Sequence, residues 1–199
     1  MARNMPIESS EAEVHAIPWS AEDAPSFRLA ELVILLSEVG SQKKKLNSID
    51  RIGYYAFFAS NPFVIIEPHG ETARGDRIAL NAAGFSRRQL SYGSIGPRYV
   101  KRRQLLPFDL QILLSYDLAA LSGEGFALTP KGRRLDEALT TAHADAYRIS
   151  LGIVLKRLAR LSDAKLTAVA REALGTSWLL LDFSADVRET EIYNHVFRQ

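Results

Sequence analysis

Six basic residues and no acidic one lie between Phe85 and Phe108: Arg87, Arg88, Arg98, Lys101, Arg102 and Arg103. Cations at this density suit phosphate or carboxylate partners, because arginine forks onto either oxyanion and lysine supplies a point charge. On a helix, Arg98, Lys101 and Arg102 share a face through three- and four-residue spacings, and Arg103 stands about 100° further round. Lys131, Arg133 and Arg134 follow a glycine-rich turn, Gly123-Glu124-Gly125. The expectation is that Arg98, Lys101, Arg102, Arg103, Lys131, Arg133 and Arg134 form one basic surface facing double-stranded DNA or an acidic protein. The plainer alternative is a solvated helix face.

No group of residues able to make or break bonds accompanies these cations. The four histidines, His15, His69, His143 and His195, fall in different segments without a partner at metal-ligand spacing. There is no phosphate-binding GxxxxGK[ST] loop and no GxGxxG step from strand to helix. Gly-x-Ser-x-Gly is absent, and Asp136 and Glu137 are neighbours that point different ways on a helix. Cysteine does not occur, which excludes disulfide scaffolds, cysteine–zinc sites, iron–sulfur clusters and thiol catalysis. The chain is therefore read as a non-enzyme that requires no cofactor and no metal.

The elements that must position the basic residues follow from apolar spacing. Residues 1–26 carry one base against five acids, a net of −4, and include Pro6, Pro18 and Pro25, so this segment reads as an acidic mobile tail. Phe27 to Val39 has a broad apolar helix face closed by Gly40. A second helix runs from an Asn47 or Ser48 cap to Asn61-Pro62. Phe63–Ile66 is β-prone within a loop, and a short helix covers Asp76 to Ala83. A long helical pattern extends from Arg98 to Ala120, with Pro107 expected to kink it or restart it. Thr129 and Pro130 sit at the cap and first position of a further helix, drawn as continuous to about Leu161. Ser162 opens a last helix that Gly175 stops.

At 199 residues and 47% hydrophobic composition, the chain has enough apolar surface for a self-sufficient core. It shows neither a signal peptide nor an apolar run of bilayer length, so a soluble, cytoplasmic protein with no membrane partner is expected. Tyr54, Tyr55, Phe57 and Phe58 clothe nearly the whole circumference of the second helix, which must then be covered on every side. Together with Trp178, Leu179, Leu181 and Phe183, they are the candidate protein-partner interface; a core role is the default for the helix.

The succession of long helix, glycine-rich turn, Phe126-Ala127-Leu128 and Thr129-Pro130-Lys131-Gly132 resembles the wing of a winged helix-turn-helix. The expected fold is mainly α with a small β-hairpin. In it, a winged-helix-like core at 27–134 is followed by an extended C-terminal helical arm at 135–199. Several stretches are similar to the small middle component of three-component ABC-ATPase systems, of which Lamassu-like anti-phage systems are the best-known examples. They are Phe27-Arg28-Leu29-Ala30-Glu31-Leu32, the run Ile49 to Phe63, Leu90-Ser91-Tyr92-Gly93 and Arg98-Tyr99-Val100-Lys101-Arg102-Arg103. The resemblance covers roughly Phe27 to Phe183. It implies a non-enzymatic adaptor joining an SMC/Rad50-like ATPase to an effector such as a nuclease, close to double-stranded DNA. A dimeric winged-helix transcription regulator is the alternative the residues leave open.

Overall fold

The computed structural model describes residues 21–42, 46–67, 69–87, 94–123 and 125–175. Residues 1–20 lie outside the described residues, as do Trp178, Leu179, Leu181 and Phe183. In chain order the elements are α1 (Pro25–Ser41), α2 (Ile49–Ser60), α3 (Arg74–Ala82) and α4 (Ile95–Ser115). They continue with the strands β1 (Ala119–Ser122) and β2 (Gly125–Leu128), then α5 (Pro130–Ala138), α6 (Ala142–Leu158) and α7 (Asp163–Leu174). Single 3-10 turns occupy Ala21–Asp23, Pro62–Val64 and Glu71–Ala73. The protein is mainly helical, with a two-stranded antiparallel sheet that pairs Ala119 with Leu128 and Ser122 with Gly125.

Local chemistry sets most of the boundaries. Ser48, Thr129, Thr141 and Ser162 each accept a hydrogen bond from the backbone N–H three residues on, at Arg51, Gly132, Ala144 and Lys165. Each cap satisfies a donor that a helix start leaves orphaned, a contribution of about 1 kcal/mol. The Thr141 cap corrects the expectation of one helix from Thr129 to Leu161. The chain leaves the helix at Leu139 and restarts at Ala142, giving α5 and α6. Two further readings change. α4 runs without a break through Pro107, and it ends at Ser115, where Asp117 turns left-handed at φ 55° and feeds β1. Phe63, in the stretch read as a β-prone loop, lies in a 3-10 turn.

The core forms where α1, α2, α4, α6 and α7 meet. α1 contributes Leu32, Val33, Ile34, Leu35, Leu36 and Val39, all buried. Tyr54, Tyr55, Phe57 and Phe58 are at most 5% exposed, so the partner-interface expectation for this helix is corrected. Tyr54 stacks on Tyr99 of α4 at 5.6 Å between ring centres, and Phe57 meets Tyr99 edge-on at 5.2 Å. α6 and α1 cover the remaining sides of α2. The covering that an all-round apolar helix demands comes from within the chain. α6 supplies Tyr147, Leu151, Val154, Leu155 and Leu158 to the same core, so it packs on the body and does not extend as an arm.

Two glycines allow backbones to approach. A Cβ at Gly125 would lie 2.2 Å from the Leu46 carbonyl oxygen, and one at Gly132 would lie 2.0 Å from that of Leu118. The first approach lets Leu46 pair in parallel with Gly125, its carbonyl accepting from the Phe126 N–H at 2.9 Å. The second sets the start of α5 against the link between α4 and β1.

Candidate functional site

Charged side chains converge where the start of α1 crosses α4. Arg28 on α1 and Asp109 on α4 are both buried and form two parallel hydrogen bonds, Nε to Oδ2 at 2.7 Å and Nη2 to Oδ1 at 2.9 Å. The third nitrogen of the same guanidinium, Nη1, donates to the carbonyls of Glu22 and Asp23 at 3.2 and 3.0 Å. One arginine thus ties α4 to α1 and also pins the 3-10 turn that precedes α1.

Glu31, one turn along α1, is 1% exposed and is met by three donors from three elements. Arg102 of α4 pairs with Oε2, the Ser60 hydroxyl of α2 lies 3.0 Å from Oε1, and His143 Nε2 of α6 lies 3.4 Å from Oε1. Burial pushes the Glu31 carboxyl upward, but the Arg102 charge and the hydrogen bonds from His143, Arg102 and Ser60 outweigh it. The net effect holds the group below the usual glutamate range. Arg102 shows the mirror balance: burial opposes its charge, and Glu31 more than restores it. Tyr147, fully enclosed nearby, has its hydroxyl raised well above the ordinary range by burial.

Farther out on α4, Arg98 pairs with Glu22, Lys101 with Asp23, and Arg103 with Asp50 of α2, the last at 3.2 Å. Each of the four basic residues expected on this helix therefore meets an acid of the same chain. Lys131 and Arg133 are placed elsewhere. Lys131 Nζ donates to the Tyr116 carbonyl at 2.8 Å, and Arg133 Nη1 donates to the Leu128 carbonyl at 3.0 Å. Arg134 is exposed on α5. Lys101 and Tyr116 are fifteen residues apart along α4 and its C-cap, which at 1.5 Å per residue is roughly 20 Å. The single basic surface expected from the sequence is therefore corrected to two separate groups near opposite ends of α4.

Sequence reasoning did not single out Glu22, Asp23, Arg28, Glu31, Asp50 or Asp109 as partners. One signal was present: Arg28 and Glu31 interrupt an otherwise apolar helix face at three-residue spacing, and buried charges at such positions require partners. Other pairs join the remaining helices. Arg51 of α2 reaches Asp163, the Leu161 carbonyl and the Tyr55 hydroxyl, and Arg157 of α6 grips Asp76 of α3 at 2.7 Å.

Among the described residues no group of three or more His, Asp or Glu side chains could hold a metal ion. No helix among the described residues is long and apolar enough to cross a membrane. Among the described residues, large apolar side chains stay exposed at Ile49 on α2, Ile78 on α3, Phe108 on α4, Tyr116 at its end, Leu121 on β1, Leu135 on α5 and Ile149 on α6. No protein-family model matches the chain, and no characterised protein or solved structure shows significant similarity to it.

Proposed function

We propose that this protein is a non-enzymatic adaptor subunit that links an SMC/Rad50-like ATPase to an effector, such as a nuclease, in a bacterial anti-phage or anti-plasmid defence complex. The observation that carries the reading is the exposure of large apolar side chains on α4, at its C-cap, on β1 and on α5. Phe108, Tyr116 and Leu121 are 59%, 64% and 60% exposed, and Leu135 is 37% exposed. Large apolar groups left uncovered on a protein with a well-filled core favour a protein partner. Support also comes from the residues that resemble the middle components of three-component ATPase systems. Arg28, Glu31, Tyr54, Tyr55, Tyr99 and Arg102 build the buried network and core, so that patterning specifies a scaffold more than a reactive site.

A winged-helix-like architecture draws support from the single parallel bridge between Leu46 and Gly125 beside the two-stranded hairpin. The transcription-regulator reading requires the first turns of α4 to be bare for a DNA groove. It gains less support, because Glu22, Asp23, Glu31 and Asp50 engage those turns. Co-expression with the flanking genes, followed by size-exclusion chromatography, tests the adaptor reading. Co-elution with an ATPase, lost in a Phe108→Glu, Leu121→Glu variant that still melts cooperatively, is the expected result. Elution of the wild-type chain apart from every flanking product overturns it.

A further inference from the structure

We infer that the cavity between the ends of α2 and α3 and the first turns of α6 is a binding site for an amine-bearing nucleobase, held by His143 and Ser60 beside Phe85. The cavity measures about 410 Å³, within the range of small-ligand sites. Ser60 lines it from α2, Gly84 and Phe85 from the turn after α3, and Ala142, His143 and Ala146 from α6. The alanines and the glycine have no side chain long enough to fill the space. Two rings, Phe85 and His143, stand in its wall, and flat groups of this kind suit a flat ligand.

Both rings are already fixed. Phe85 packs against the satellite cluster of Phe63, Ile66, Ala73 and Leu80, and its N–H donates to the Leu80 carbonyl at 3.0 Å. The His143 ring lies on Phe27 with centres 4.5 Å apart, and its Nε2 faces the buried Glu31 carboxylate. A site organised in advance spends little of its binding energy on ordering.

The hydrogen-bonding character follows from Glu31. Facing a carboxylate, Nε2 is the nitrogen that carries the proton, which leaves a lone pair on Nδ1 of a side chain 47% exposed. The Ser60 hydroxyl has Glu31 Oε1 at 3.0 Å and the Ala56 carbonyl at 3.2 Å for its single hydrogen, so towards a ligand it accepts. Donors come from α6. Thr141 takes the N–H groups of Ala144 and Asp145, and those of Ala142 and His143, earlier in the same turn, have no partner among the described residues. Arg102 already balances the Glu31 charge, so the wall matches neither an ammonium nor a carboxylate. A neutral ring whose exocyclic amine donates and whose adjacent ring nitrogen accepts meets both kinds of group. The inference does not depend on the adaptor reading, because it concerns the isolated chain.

The test is titration calorimetry of the full-length chain with adenosine, with purine riboside, which lacks the amine, and with a single-stranded oligodeoxyadenylate. Adenosine should bind, and purine riboside should bind about fivefold more weakly, the worth of one hydrogen bond. Ala146→Phe fills the cavity without removing a hydrogen bond and should abolish binding. Should that variant melt early, Ala142→Leu, at an exposed position of the same wall, carries the comparison. Competition between the oligonucleotide and adenosine assigns the base to a strand, and binding of adenosine alone assigns it to a free nucleoside; either upholds the site. Absence of saturable binding of both ligands, equal affinity for adenosine and purine riboside, or binding that survives in the filled variants overturns it.

Discussion

Replacing Asp109 by alanine should be among the most destabilising single substitutions in this protein. Arg28 and Asp109 have side chains only 4% and 2% exposed, and two hydrogen bonds of 2.7 and 2.9 Å join them. Without the carboxylate, two of the guanidinium nitrogens face a dry gap, and only Nη1 keeps its acceptors on Glu22 and Asp23. Breaking one half of a buried pair costs about 3–5 kcal/mol, because the stranded charge keeps its desolvation penalty. For a domain of this size the melting temperature should fall by roughly 6–20 °C. Asp109→Leu combined with Arg28→Met should recover much of that loss, since removing both charges removes the penalty. The recovery stays incomplete because the turn at Glu22 and Asp23 loses its anchor. Chemical denaturation and calorimetry of wild type, both single variants and the double variant close the cycle. A single-variant loss below about 1 kcal/mol, or additive losses in the double variant, would refute the argument that this pair is closed and dry.

Other consequences are open to the same measurements. Glu31 has its carboxyl held below the usual range, so its contribution is complete above the unfolded value near 4.3 and is lost as pH falls through the folded value. Stability should therefore decline on acidification through that window. In Glu31→Gln the decline should flatten, while neutral-pH stability drops by about 3 kcal/mol because Arg102 loses its partner; an unchanged acid limb would contradict this. Gly132→Ala should destabilise by about 1–3 kcal/mol through overlap with the Leu118 carbonyl, against the usual benefit of alanine in a helix. Thr141→Ala should cost about 1 kcal/mol and fray the start of α6, seen as faster amide exchange there. Phe58→Ala, at 0% exposure, should cost about 3–5 kcal/mol, whereas Phe108→Ala should change stability by no more than about 0.5 kcal/mol.

The boundaries of α2 and α7, the Thr129-Pro130 start of α5 and the second hairpin strand were legible in the sequence. Each is set by chemistry within a few residues: Ser48 and Ser162 cap, Pro62 and Gly175 stop, and Gly125 permits a turn. The division of α5 from α6 was less legible, because the apolar repeat from Leu135 through Ile153 suits one continuous helix and only the Thr141 cap argues otherwise. The left-handed Asp117 that ends α4 gives no comparable sequence signal. What the charges do was not local at all. The basic run and the acidic N-terminal segment are both visible in the composition, but pairing Glu22 with Arg98 and Asp23 with Lys101 spans more than seventy residues. A side chain's charge is a property of its residue, whereas its partner depends on which helices cross. Buried at the α1–α4 crossing, Arg102 and Glu31 become a structural pair, and on the open side of the same helix Lys101 keeps a solvent-exposed one.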